Sequence, residues 1–227
     1  MTLRRRLIAL GLGLVLAACT LEEAGSGPSQ PQPQQRAEAP KTAKLDAAQA
    51  QRLQRIMAPL IQKMDKPIPS SEVKITVLDD EHINAANGGG GDFYVTTGLL
   101  AKGSDDHIRG VMAHEVAHAD LGHVARTQKL ATGVELGMIL LDQIYPGASS
   151  LTPLAGQLIV SAYTRREEHE ADAHGVELLK RSGHNGKAIM ASTLEWLSKA
   201  EGGGGGGGFF SSHPATGDRV EAVQKLP

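Results

Sequence analysis

The sequence predicts an α+β fold, mostly helical, with a small antiparallel sheet. Three patterns point to it. Leu53, Ile56, Met57, Leu60, Ile61 and Met64 recur at spacings of three and four, the period of a helix with one buried stripe. Val73, Ile75 and Val77 alternate with Lys74 and Thr76, and Phe93-Tyr94-Val95-Thr96 is a second extended run, so both read as strands. Helical patterns fill most of the remaining chain, setting five or six helices against two or three strands.

The first elements in order are an address and a tether. Arg4, Arg5 and Arg6 precede an apolar run from Leu7 to Leu16, followed by Leu16-Ala17-Ala18-Cys19. A basic front and a short apolar stretch are export-signal anatomy, and the last four residues resemble a bacterial lipobox, with Cys19 as the lipidated residue after removal of 1–18. Residues 19–44 are rich in Gly, Ser, Pro, Gln and Ala, with Pro28, Pro31, Pro33 and Pro40 breaking regular structure. They read as a flexible tether holding the domain at 45–227 away from a membrane. Thr20, in place of Asp after the cysteine, resembles outer-membrane sorting, which implies a bacterial envelope location through an acyl anchor.

The domain opens with the helix ending before Pro67. After the strands, Ser104 caps a helix with Asp105 and Asp106 in its first turn and Ile108, Val111, Met112, Val116 and Leu121 on its buried face. Further helical patterns cover 133–144, 151–180, 186–200 and 217–225. Val134 to Ile144 is apolar, but Glu135, Asp142 and Pro146-Gly147 make it a core helix or a surface-dipping hairpin, of which the core helix is the better reading. The glycine runs 88–91 and 202–208 read as mobile loops, and neither has the flanking residues of a phosphate cradle.

Composition removes several function classes. With 23 Lys and Arg against 25 Asp and Glu the chain has a net charge of −2, which gives no electrostatic case for nucleic acid. No apolar run after the first twenty residues is long enough to span a bilayer. A single cysteine allows no internal disulfide and no cysteine-rich zinc module, so a metal site must be built from His, Asp and Glu.

His114-Glu115-Val116-Ala117-His118 supplies the start of one. Histidines four apart on a helix stand about 40° apart around its axis and about 6 Å along it, so both imidazoles can meet one Zn²⁺. Glu115 is turned off that face, where it can act as base to water. Three residues compete to be the third ligand. His123 misses the three-histidine spacing by one position. Glu135 stands 17 residues after His118 but has Ile139 where a supporting acid is wanted. Glu168 has Asp172 four residues on, along the same helical face, so one can bind metal while the other orients a ligand. Glu168 is the better ligand.

These motifs resemble the HtpX and CAAX-prenyl-protease family of zinc metallopeptidases, gluzincins with an HExxH helix. The resemblance is carried by Thr164 before Arg165-x-x-Glu168-x-x-Ala171-Asp172, by Asn84-Ala85 before a strand, by Val95-Thr96-Thr97-Gly98-Leu99-Leu100 before the metal helix, and by His213-Pro214 with Arg219. It covers about 150 residues in the family's order, and periplasmic lipoprotein members without membrane spans are nearest in layout. The usually apolar segment after Asn84-Ala85 is here Ala86-Asn87 and four glycines.

The resemblance implies a zinc endopeptidase, with one Zn²⁺ per chain, acting on misfolded or misassembled envelope polypeptides. Its residues would be His114, His118 and Glu168 on the metal, Glu115 as general base, and Asn84 on the substrate side. Arg219 would pair with Asp172 and bring His213 to the cleft, as an oxyanion donor or as an occupant of the open zinc position. The strand with Val95 reads as an exposed edge for an extended peptide. A zinc-stabilised chaperone or binding module is the alternative, against which the intact Glu115 argues; a third reading, a prenyl-protein protease, would need membrane helices to hold a lipidated substrate, and no apolar run after the first twenty residues supplies them. Tyr163 and Trp196 read as packing residues, and His82, His107, His169, His174 and His184 as solvated.

Overall fold

The computed structural model describes residues 41–130, 163–200, 208–214 and 217–227. The export signal and Cys19, the tether up to Pro40, the 133–144 helix with Glu135, and Gly202 to Gly207 lie outside the described residues. So does the 151–162 part of the next predicted helix.

Helix α1 (Ala47–Gln62) is capped by Asp46, whose carboxylate accepts the Gln49 N–H at 2.8 Å, and it buries Leu53, Ile56, Met57, Leu60 and Ile61. Strands β1 (Lys74–Leu78), β2 (Ala85–Gly89) and β3 (Asp92–Thr96) follow. Helix α2 (Thr97–Lys102) leads to α3 (Asp105–Asp120), capped by Ser104, and then to α4 (His123–Leu130). Beyond the undescribed stretch come α5 (Arg165–Arg181), α6 (Gly186–Ala200), a 3-10 turn at Phe209–Ser211 and α7 (Arg219–Lys225). No helix among the described residues is long and apolar enough to cross a membrane.

The sheet differs from expectation in two ways. It is mixed, in the order β1-β3-β2, with β1 parallel to β3 and β2 antiparallel to it. The glycines at 88–91 are part of this hairpin: Gly88 and Gly89 belong to β2, and Gly90 (φ +59) and Gly91 (φ +95) form its two-residue turn. Because the hairpin folds β3 back between β2 and β1, the strand carrying Val95 is the centre of the sheet. Val95 is fully buried, paired with Val77 and Ala85, so it offers no exposed edge; β1 and β2 are the outer strands.

Helix α3 is the centre of the domain, touching α1, α5, α6 and β2. It is buried nearly all round, which explains the runs of Ala, Val and Gly on it. A Cβ at Gly110 would fall 2.1 Å from the Thr193 hydroxyl, so a side chain there would push α6 off α3. Two polar ties hold the ends of this packing. Arg52 donates to Asp105 and to the carbonyls of Leu100 and Gly103, joining α1 to the start of α3. At the other end, buried Asp120 accepts the N–H groups of Asp65 (2.7 Å) and Lys66 (2.9 Å) and meets His174 Nε2 at 2.7 Å. His174 is therefore a hydrogen-bond partner of Asp120 and not a solvated residue, and His107 stacks on Trp196 with ring centroids 4.3 Å apart.

Candidate metal centre

Two helices and one turn build the centre. The HExxH segment lies in α3, where a 3.6-residue period brings His114 and His118 to one face. Glu168 and Asp172 lie one turn apart in α5, whose start is fixed by a capping box: Thr164 Oγ1 accepts the Glu167 N–H, and the Glu167 carboxylate accepts the Thr164 N–H. This cap sets the helix start at Arg165, so Tyr163 precedes it. His213 follows the 3-10 turn, and Arg219 begins α7.

The side chains converge tightly. His114 Nε2 and His118 Nε2 are 2.9 Å apart, Glu168 Oε2 is 3.5 Å from the former, and Glu168 Oε1 is 3.4 Å from the latter. His213 Nδ1 adds a fourth vertex, 3.2 Å from His114 Nε2 and 3.0 Å from Glu168 Oε1. One ligand atom from each of the four residues fits within 4.8 Å. In a tetrahedral zinc site, bonds of about 2.0–2.1 Å place neighbouring ligand atoms about 3.3 Å apart. Imidazole nitrogens and a carboxylate are also the donor set that zinc takes, so the residues present fit the ion.

Glu115 is fully buried and stands outside this set, with His213 Nε2 3.2 Å from its Oε1. Burial raises its pKa above the usual carboxylate range, and the His213 charge only partly offsets the effect. Glu168 is driven the other way: burial opposes its charge, but the charges of His213 and His114 outweigh burial and hold it ionised. For His114, too, burial works against the charge and is overcome, by Glu168 and then Asp172, so the metal-free pKa rises to about 9.

A layer of partners surrounds the centre. His114 Nδ1 lies 2.9 Å from Asp172 Oδ1, which leaves Nε2 to face the cluster. Arg219 grips Asp172 with Nε and Nη2, each at 2.7 Å, and its Nη1 lies 2.5 Å from Glu168 Oε2. Burial favours the neutral form of Asp172, yet the Arg219 charge holds its pKa at about 2. The C-terminal helix is thus pinned to the metal helices. Asn84 is buried, with its amide oxygen on the Ala85 N–H and its Nδ2 3.4 Å from the Gly208 carbonyl, so it ties β2 to the His213 segment and does not line an open cleft.

Two further residues belong to the centre, Tyr163 by packing and His123 by a polar contact. Tyr163 stacks on the His118 ring, centroids 3.7 Å apart. His123, set aside as a ligand, meets the edge of the same ring, Nδ1 to Nδ1 at 2.8 Å. Gly122 at φ +67 ends α3 and turns the chain so that His123 folds back over the helix it has just left. A recess of about 350 Å³ opens beside His118, with Met64, Ile68, Asn87, Gly89 and Val124 among its walls.

Residues 47–226 match the family described as Peptidase family M48. Among curated proteins, the chain is 27% identical over 162 residues to metalloprotease LoiP of Escherichia coli, covering 69% of this chain and 64% of that protein. It is 32% identical over 167 residues to the mitochondrial metalloendopeptidase OMA1 of Bos taurus, covering 67% of this chain and 32% of OMA1. It is 29% identical over 157 residues to the beta-barrel assembly-enhancing protease of Escherichia coli, covering 63% of this chain and 32% of that protein. The chain thus spans less than two thirds of each of these relatives.

Proposed function

Because the chain belongs to peptidase family M48, a family of zinc metallopeptidases, we propose that it is an endopeptidase whose metal is held by His114, His118 and Glu168. The observation that carries this reading is the approach of two imidazole Nε2 atoms and one carboxylate to 2.9–3.5 Å of one another at the buried centre of the domain. When bound, zinc supplies Lewis acidity at the scissile carbonyl. Glu115 takes a proton from the attacking water and delivers one to the leaving amine, and its raised pKa suits both transfers. Asp172 keeps the proton on His114 Nδ1, so that Nε2 presents a lone pair. Metal analysis tests the assignment: wild-type protein retains one zinc per chain and Glu168→Ala loses it, whereas a full complement in that variant overturns the ligand set.

In this reading His213 occupies the place a substrate group would take. Its ring is buried, stacked on Phe209 with centroids 4.3 Å apart, and its Nδ1 stands at the fourth vertex. The segment before it is docked on the sheet side, where the Phe209 N–H donates to the Ile83 carbonyl at 2.9 Å. We therefore take His213 as a plug. His213→Ala is expected to raise basal cleavage of an unstructured peptide about tenfold, by removing the population of closed enzyme. A fall in kcat would make it an oxyanion donor instead.

The substrate is a polypeptide, lying extended along the outer strand β2 with a side chain in the recess beside His118. The export signal and Cys19 support a lipid-anchored enzyme of the bacterial envelope, facing envelope proteins as substrates. One relative is named for enhancing beta-barrel assembly, which fits substrates of that kind.

A further inference from the structure

We infer that His123 is a positioning residue for the metal centre: its unprotonated Nδ1 accepts the His118 Nδ1–H, fixing the tautomer and ring orientation of that ligand. The inference rests on the proposed ligand role of His118. His118 Nε2 faces His114 and Glu168, so its one remaining ring proton must sit on Nδ1 when Nε2 donates a lone pair. The atom 2.8 Å from that Nδ1 is the Nδ1 of His123. Two N–H groups cannot share this contact, so His123 must carry its own proton on Nε2. There Glu170 Oε2 lies 3.3 Å away, and the other oxygen of Glu170 is held by Arg166 Nε at 2.7 Å. The proton order is then consistent from the centre to the surface: His118 donates to His123, and His123 donates to Glu170.

The two histidine ligands are thereby held differently. His114 leans on a carboxylate that Arg219 fixes, while His118 leans on a neutral imidazole with a carboxylate behind it. Both contacts on His118 are close and approach it from different directions, Tyr163 covering its face and His123 meeting its edge at an interplanar angle of 70°. His123 is itself fully buried, so its contact with His118 is shielded from competing water.

Removing such a partner costs about 10–100-fold in metal affinity. The test is zinc affinity, measured by chelator competition on the folded mature protein, for wild type, His123→Ala and His123→Asn. Asn places an amide oxygen near the position of the imidazole Nδ1, and so keeps the acceptor without the ring. His123→Ala is expected to bind zinc at least tenfold more weakly and to lose the downfield ¹H signal of His118 Nδ1–H in the zinc-loaded protein. His123→Asn is expected to recover most of the affinity and the signal. Equal affinity in wild type and His123→Ala overturns the inference, as does His123→Asn binding no better than His123→Ala while melting like wild type. Glu168→Ala, measured in parallel, separates the two levels: if it binds zinc like wild type, the ligand set itself has failed, independently of His123.

Discussion

Glu115→Gln is expected to lower kcat by about 10²–10⁴-fold while leaving the zinc content and the fold unchanged. Glutamine keeps the shape of the side chain and removes only its capacity to hold and release a proton. Glu115 lies outside the cluster formed by His114, His118, Glu168 and His213, so losing its charge opens no ligand position. A stability gain should accompany the loss. Glu115 is a fully buried carboxylate whose burial raises its pKa, a sign that the fold opposes its charge. The neutral amide removes that opposition, so the melting temperature of Glu115→Gln is expected to equal or exceed that of wild type. Thermal melting and peptide cleavage on the same preparation check both parts. Loss of zinc, or a drop in stability, would show that Glu115 supports the structure of the centre.

What could be read from the chain before folding follows from how local each interaction is. The HExxH pair and the Glu168–Asp172 pair each lie on one helix, where spacing alone sets the geometry, and Ser104 announces its helix through a hydrogen bond three residues away. The helices α1, α3 and α6 are legible for the same reason. Strand β2 is not: Ala-Ala-Asn-Gly-Gly has no β-branched residue and no alternation, and it is a strand only because β3 pairs with it. With β2 hidden, the pattern reads β3 as an edge strand, whereas in the fold it is the centre of the sheet, parallel to β1 and antiparallel to β2. The contacts of His123 and Tyr163 with His118 are not legible in the chain, because they arise from a reversal at Gly122 and from the docking of α5, neither of which has a periodic signature. His174 meets Asp120 through the approach of α3 and α5, which is likewise a property of packing.

Arg219 carries the largest expected effect on stability. It is 1% exposed and reaches two carboxylates that are themselves buried, Asp172 through two hydrogen bonds and Glu168 through Nη1. Removing one member of a buried charge network costs about 3–5 kcal/mol, because the remaining charges stay desolvated and lose their partner. In Arg219→Met the stem of the side chain is largely kept, so the loss reports the charge and not a cavity. The variant is expected to melt far below wild type, with the 219–225 helix losing amide-exchange protection first, since Arg219 is its anchor to α5. Zinc should modulate the size of the effect. In the metal-free protein Arg219 faces both acids, whereas a bound cation shared by Glu168 takes over part of its role. The destabilisation by Arg219→Met is therefore expected to be larger in chelator-treated protein than in zinc-loaded protein, as read from paired melting curves. An equal loss in both states would mean that Arg219 acts through Asp172 and the packing of α7 alone, with no electrostatic share in the metal centre.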